Sequence, residues 1–151
     1  MPLNIADLKI SSPDFQPGTR LADEFSADGG NAAPRLEITG VPAEAVELAL
    51  LVHDPDAPLP LGFTHWVVYG HPARDGAVDV GGENVRVGAN TAGKNEYMGP
   101  RPPAGHGDHH YFFTVYALDH HVDGIPSREE FLEGYAHVIL VQNRIVGLYS
   151  N

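Results

Sequence analysis

The stretch that decides the fold runs from Val46 to Tyr69 and reads VELALLVHDPDAPLPLGFTHWVVY. Apolar residues alternate with other residues at its start and become nearly continuous before His53, which is the pattern of a strand that enters a core. The prolines at positions 55, 58 and 60 cannot donate to a β-ladder, so this strand must end near Asp54. A second apolar run begins at His65. The stretch therefore predicts two strands of a central sheet, joined by a loop that carries two carboxylates and an imidazole.

The loop between these strands leaves two roles open for its aspartates. Asp54 and Asp56 are two positions apart, which places both side chains on one face of an extended chain. A tight turn is equally compatible with the spacing, because an aspartate in a turn bonds to the backbone nearby. Asp56 lies inside the Pro-rich segment and is the better candidate for such a structural role. Ala57-Pro58 is also a candidate for a cis peptide bond, since the cis form has a low free-energy cost only before proline.

Composition limits the class of protein. The chain has 151 residues, enough for one domain with a sizeable core, and it contains 17 glycines and 13 prolines. This high share favours short strands joined by turns over a helical bundle. Cysteine is absent, which excludes disulfides, thiolate metal sites and a cysteine nucleophile. We expect a single, mostly β domain over residues 1–151.

The charge of the chain limits its partners. The formal net charge is −11, with only nine lysines and arginines. Such a chain is repelled by nucleic acid and by anionic membranes unless it has a local basic patch, and none is visible in the sequence. The N-terminus lacks the pattern of a secretion signal, and there is no apolar run long enough to span a bilayer. We therefore expect a cytoplasmic protein. It should have no transmembrane segment and should not bind nucleic acid.

A second informative stretch runs from Gly99 to Leu118 and reads GPRPPAGHGDHHYFFTVYAL. Its first half is a loop with His106, His109 and His110, and its second half, from Tyr111, is apolar or aromatic on both faces, as in a central strand. Alternation places His109 and Tyr111 on one side of the chain and His110 on the other. This loop enters the core as the Asp54 loop leaves it, so we expect the two to meet at one end of a sheet.

The remaining segments predict smaller elements. Alternation favours short strands at 7–12, 36–39 and 85–87 and a final strand in the tail, 136–151. Ser127 with Glu130 has the form of a capping box, which predicts a short helix from Ser127 to Tyr135.

An aspartate and histidine cluster without cysteine suits two kinds of site. One is a metal site for zinc, iron or manganese, although no recognised metal-binding spacing is present. The other is an anion pocket, in which histidines and loop N–H groups hold phosphate or carboxylate while an aspartate orients an imidazole. Taken alone, a histidine such as His65 is more often a satisfied buried group than a ligand. A serine hydrolase is disfavoured, because there is no Gly-x-Ser-x-Gly motif.

Together these residues resemble the signature of the phosphatidylethanolamine-binding protein family, in particular its bacterial Raf-kinase-inhibitor-like subgroup. The resemblance covers nearly the whole chain and rests on two motifs in order: Asp54-Pro55-Asp56-Ala57-Pro58 with His65-Trp66, then Gly99-Pro100 with Pro102-Pro103, Gly105, His109 and Tyr111. It implies a mostly β fold with a central antiparallel sheet, a smaller sheet and a few short peripheral helices.

The resemblance also implies a small surface cavity for phosphate-like anions or phospholipid head groups. The residues at the matching positions are Asp54, Asp56, Pro58, His65, Pro103, His109 and Tyr111. By resemblance, Asp54 orients an imidazole, and His65 and His109 donate to the anion. Tyr111 and Pro103 form a wall. No metal or organic cofactor is implied, and a protein partner such as a kinase and a homodimer are expected only by family analogy.

Some features depart from the family pattern. Arg101 stands where relatives often have a small residue, and His106 and His110 are not part of the motif. The chain ends just after Tyr149, without the extra C-terminal helix of animal members, so we expect a more open site. We predict a non-enzymatic protein that binds anions more tightly at mildly acidic pH. One alternative is a hydrolytic or lyase-like enzyme that uses the same Asp/His cluster, with or without a metal. Another is a partner-binding protein whose pocket is vestigial.

Overall fold

Two antiparallel sheets make up most of the molecule. The computed structural model describes residues 7–151. Its strands are β1 Lys9–Ser11, β2 Glu37–Thr39, β3 Glu47–Asp54, β4 Phe63–His71, β5 Gly76–Ala77, β6 Arg86–Val87, β7 His109–Leu118 and β8 Ile139–Tyr149. The larger sheet has five strands in the order β6-β4-β3-β7-β8, and the smaller sheet has three in the order β1-β2-β5. The predicted mostly β architecture is confirmed.

Strand β3 lies at the centre of the larger sheet because it is apolar on both faces. All eight of its residues are buried. It pairs antiparallel with β4 and β7, so that Leu50 lies opposite Val68 on one side and Val115 on the other. Since neighbouring strands run in opposite directions, the end of β3 lies beside the starts of β4 and β7. This register brings the Asp54 loop and the histidine loop to the same edge of the sheet.

One hydrophobic core lies between the two sheets. Ile10 of β1 and Ile38 of β2 pack in the same buried cluster as Leu50 and Phe113 of the larger sheet. The opposite face of the larger sheet carries a second cluster around Phe131. Both faces of the central strands are therefore covered, as their continuous apolar sequences require.

The helix α1, Arg128–Gly134, covers that second face. The predicted capping box is present: Ser127 Oγ accepts from the Glu130 backbone N–H at 3.1 Å, and Glu130 Oε1 accepts from the Ser127 N–H at 2.9 Å. Phe131 is fully buried against the rings of Tyr69 and Tyr116. Two 3₁₀ helices, Asp23–Phe25 and Ala136–Val138, complete the helical elements described. No helix within residues 7–151 is long and apolar enough to cross a bilayer.

The local predictions fail at two points. The expected cis bond at Ala57-Pro58 is wrong, since the described part of the chain has only trans peptide bonds. Hydrogen bonds close this turn instead: the N–H of Asp56 donates to Asp54 Oδ1 at 2.8 Å, and that of Leu59 donates to the Ala57 carbonyl at 2.7 Å. The two-residue strand β5 and the 3₁₀ helices were not predicted, because they are too short to show a periodic pattern.

Candidate functional site

A cavity of about 290 Å³ opens at the edge of the sheet where β3 ends and β7 begins. Six of the seven residues that the family motif picks out line this cavity: Asp54, Pro58, His65, Pro103, His109 and Tyr111. Apolar side chains such as Phe63, Leu59 and Met98 complete much of its wall. The cavity therefore combines a small polar group of side chains with an apolar surround.

Asp54 and His109 form a buried pair at this cavity. The Nδ1–H of His109 donates to Asp54 Oδ2 at 2.6 Å, and the two side chains are only 2% and 3% exposed. The other carboxylate oxygen of Asp54 accepts from the N–H of Asp56. Both oxygens of this buried carboxylate are thus satisfied, which holds it in place. Because its Nδ1 is used, His109 has only Nε2 left for another partner.

His65 is also held through Nδ1. This nitrogen lies 2.6 Å from the carbonyl oxygen of Met98. A carbonyl can only accept, so Nδ1 must carry the proton, and Nε2 of the neutral ring has a lone pair. Burial lowers the pKa of His65 to about 4, because removal from water disfavours the charged ring. The ring is therefore neutral at pH 7.

Asn31 holds the segment that carries the Met98 carbonyl. Its Nδ2–H donates to the Tyr97 carbonyl at 3.1 Å, and its Oδ1 accepts from the Gly99 N–H at 2.6 Å. The backbone of Asn31 has a φ of 56°, in the left-handed region that asparagine tolerates better than most residues. Sequence reasoning did not single out this residue, whose only signal is its place in the Gly30-Asn31 turn.

Tyr111 packs against both histidines of the cavity. Its ring centroid lies 5.1 Å from that of His65, edge to face, and 6.4 Å from that of His109. Burial raises the pKa of the Tyr111 hydroxyl, so the group stays protonated. Within the described residues this hydroxyl has no hydrogen-bond partner, which leaves an O–H donor available to a ligand.

The seventh predicted residue, Asp56, lies outside the cavity lining. Its Oδ2 accepts from the backbone N–H of His110 at 2.8 Å and from the His110 ring at 2.7 Å. Burial acts to raise the pKa of Asp56, but the hydrogen bonds from His110 outweigh it and hold the pKa below its usual value. Asp56 thus ties the turn after β3 to the start of β7. The bond to nearby turn backbone that was predicted for Asp56 is made by Asp54 instead, whose Oδ1 accepts from the Asp56 N–H. The alternation predicted for β7 is present, since His109 and Tyr111 are buried and His110 is exposed.

Two residues outside the family motif lie at the site. Nδ1 of the exposed His106 lies 2.5 Å from Nε2 of the buried His109, so His106 extends the Asp54–His109 pair toward solvent. No periodic pattern marked His106, because it lies in a loop. Arg101 lines the cavity, but its side chain is 63% exposed and its Nε lies 3.4 Å from Asp28 Oδ2. Exposed pairs of this kind contribute little to stability.

The described residues contain no group of three or more His, Asp or Glu side chains arranged to hold a metal ion. The imidazoles at the cavity are instead bonded to a carboxylate, a backbone carbonyl and each other. This donor set suits recognition of a polar ligand through hydrogen bonds.

Comparison with known proteins identifies the class to which this site and fold belong. Residues 11–150 match the family model described as phosphatidylethanolamine-binding protein. The chain therefore belongs to the phosphatidylethanolamine-binding protein family, as its motifs had indicated.

Relatives support this assignment at the level of sequence and structure. A UPF0098 protein of Methanothermobacter thermautotrophicus is 36% identical over 154 residues, which cover 94% of this chain and 98% of that protein. The crystal structure of YbcL from E. coli, described as a new member of the mammalian PEBP family, has a TM-score of 0.89 and 28% identity, covering 97% of this chain and 99% of that one.

A third relative carries a different kind of name. It is called putative lipoprotein LppC, from Mycobacterium tuberculosis, and it is 45% identical over 116 residues. The match covers 74% of this chain and 55% of that protein. The shared segment is thus little more than half of the relative's length.

Proposed function

We propose that this protein is a non-enzymatic binding protein for a small phosphate-like anion, such as a phospholipid head group. The observation that carries the proposal is the cavity at the end of β3, where a buried carboxylate and two buried histidines lie together in an apolar surround. The name of the family supports a phospholipid-related ligand. At about 290 Å³, the cavity is just smaller than the usual range for ligand pockets, about 300–1,000 Å³. This size favours a head group over a whole lipid.

The histidine tautomers show what such an anion requires. Both cavity histidines donate through Nδ1 to protein acceptors, Met98 O for His65 and Asp54 Oδ2 for His109. When neutral, each ring has a lone pair on Nε2, which repels an anionic oxygen. A proton must therefore lie between ring and ligand, supplied by a protonated phosphate or taken up from solvent. This condition refines the expectation that His65 and His109 simply donate to the anion.

Proton uptake predicts a pH dependence of binding. If an anion binds with uptake of one proton, its affinity rises by up to about tenfold for each unit by which the pH falls, down to the pKa of the free group. For His65, that pKa is about 4. We expect the affinity for sulfate, which carries no proton near neutrality, to rise steadily from pH 8 to pH 5. Binding that is flat over this range, measured by NMR titration, would contradict a direct histidine contact.

The central test compares the wild type with a His65→Ala/His109→Ala double variant. Phosphate and phosphoethanolamine are titrated into each protein and followed by NMR, with metal content assayed on the same samples. We expect saturable changes in the chemical shifts of Asp54 and Tyr111 in the wild type and none in the double variant. The matched control is His110→Ala, which removes an exposed histidine bonded to Asp56. If the double variant binds as well as the wild type, the cavity is not the anion site.

One observation favours a second candidate function, a hydrolytic enzyme. The Asp54–His109 pair has the geometry in which a carboxylate orients a general base. Assays with p-nitrophenyl phosphate and p-nitrophenyl acetate, with and without added zinc or manganese, test this directly. Turnover that is lost in His109→Ala would favour the enzyme over the binding protein.

Partners and cellular location stay predictions. A kinase or other protein partner and a homodimer rest on family analogy alone. The expected cytoplasmic location is likewise untested, and the relative in M. tuberculosis is named a putative lipoprotein. Fractionation of cells that express the native gene, followed by immunoblotting of soluble and membrane fractions, would decide the location.

A further inference from the structure

The nitrogen of His109 that a ligand needs is already in use. Nδ1 of His109 donates to Asp54, and Nε2 lies 2.5 Å from Nδ1 of His106. At this distance one of the two nitrogens carries the proton and the other accepts it. His109 is 1% exposed, so its position cannot easily adjust to serve a third partner. An anion in the cavity and the His106 ring therefore compete for the same atom.

His106 itself is free to leave. Its ring is exposed and has His109 as its one hydrogen-bond partner in the described part of the chain. It is flanked by Gly105 and Gly107, whose φ values of 75° and 80° lie in the left-handed region, and no atom lies within 4 Å of the position a Cβ would take at either glycine. Exposed rings of this kind change rotamer rapidly. The ring can thus swing into solvent without disturbing the buried Asp54–His109 pair.

We propose that His106 is an internal competitor for the ligand, which occupies Nε2 of His109 in the free protein and is displaced when an anion binds. The proposal rests on the proposed anion site and adds a means of regulating it. Displacement also exposes the His106 ring nitrogens to solvent, so the bond lost to His109 is partly replaced by bonds to water. The competitor lowers affinity but keeps a buried polar nitrogen satisfied in the empty site.

Removal of the competitor should tighten binding. The net contribution of one such hydrogen bond corresponds to roughly a two- to tenfold change in a binding constant. We therefore expect His106→Ala to bind phosphate roughly two- to tenfold more tightly than the wild type. The comparison is made at pH 8, above the range in which ordinary histidines titrate.

The experiment is a phosphate titration of four proteins, followed by NMR: wild type, His106→Ala, His110→Ala and His109→Ala. His110→Ala is the matched control, because it also removes an exposed, hydrogen-bonded histidine from the same segment but does not touch His109. Wild type labelled at the histidine nitrogens reports directly on displacement. Its His106 Nδ1 resonance should move toward the position of a free ring as phosphate saturates the site.

The outcomes separate the two proposals. Tighter binding in His106→Ala, with His110→Ala unchanged, supports the competitor. Equal binding in wild type and His106→Ala overturns the competitor proposal and leaves the anion site intact. Weaker binding in His106→Ala also overturns it, and would mean that His106 donates a hydrogen bond to the ligand. If none of the four proteins binds phosphate at pH 8 or at pH 5, the proposed function itself fails. Binding that persists in His109→Ala would also overturn both proposals.

Discussion

The imidazole of His65 shows how burial sets the chemistry of a single residue. Its ring is bonded to the Met98 carbonyl and only 4% exposed, and its pKa is lowered to about 4. In the unfolded chain an ordinary histidine has a pKa near 6.5. Between these two values the unfolded state binds more protons than the folded state. The contribution of His65 to the free energy of unfolding is therefore fully present above about pH 6.5 and is lost as the pH falls toward 4.

This linkage predicts an acid-labile fold, with His65 responsible for part of the sensitivity; burial also lowers the pKa values of His53 and His71. Between pH 7 and pH 4.5, His65 should remove about 2–3 kcal/mol from the free energy of unfolding. Glutamine does not titrate. Over the same pH range, the free energy of unfolding of His65→Gln, measured by urea unfolding, should therefore fall by about 2–3 kcal/mol less than that of the wild type. The control is His137→Gln, an exposed histidine, which should behave as wild type. Equal losses in His65→Gln and wild type would mean that the His65 ring is not neutral and buried.

At the scale of elements, the site depends on a contact between two distant loops. Asn31 bonds to the backbone on both sides of Met98, and Met98 in turn accepts from His65. A turn near the start of the chain thus determines the orientation of a histidine on β4. Because both loops lack regular structure, this cross-link takes the place of a ladder of hydrogen bonds.

We expect Asn31→Gly to loosen the Met98 segment and to change the chemistry of His65. Glycine accepts the left-handed backbone, so the variant isolates the loss of two hydrogen bonds, which costs about 1–3 kcal/mol of stability. The ¹⁵N shifts of His65 should move toward a mixture of tautomers, because the Met98 carbonyl no longer holds Nδ1–H firmly.

The control for this variant is Ser127→Ala, which removes the cap of α1 at a cost of about 1 kcal/mol. That change is remote from the cavity, so it should destabilise the protein and leave the His65 ring unchanged. If both variants shift the His65 resonances alike, Asn31 acts only on overall stability and does not position the site.

At the scale of the whole molecule, the two sheets share one core. Ile38 of the smaller sheet and Leu50 of the larger sheet belong to one buried cluster, and Trp66, the single tryptophan, lies in it as well. Each sheet therefore depends on the other to bury its apolar face. One domain over residues 1–151 stays a prediction, and the shared core of the described residues 7–151 supports it.

A shared core predicts one cooperative unfolding transition. Trp66 fluorescence and far-UV circular dichroism should give coincident denaturation curves. Ile38→Ala should cost about 2–5 kcal/mol and shift both curves by the same amount, although it lies on the smaller sheet. Curves that separate, or a variant that moves only one of them, would indicate two independently folding units.

Much of this protein could be predicted from the sequence. Apolar alternation identified the two central strands, prolines ended β3 near Asp54, and the Ser127 and Glu130 pair marked the helix. These features depend on residues close together in the chain, whose side-chain periodicity directly reflects secondary structure. The order of the two motifs also sufficed to identify the family. The positions of the Asp54 loop at the end of one central strand and of the histidine loop at the start of another predicted that the two loops meet at one edge of the sheet.

The use of each polar atom depended on the tertiary structure. His65 bonds to a carbonyl 33 residues away and His109 to a carboxylate 55 residues away, while Asp56 turns out of the cavity to His110. Periodicity tells which face a side chain is on, but a hydrogen bond also requires a distance within a few tenths of an ångström and a direction. Those are set only when distant segments pack, which is why the contact between His106 Nδ1 and His109 Nε2 is visible in the fold and not in the sequence.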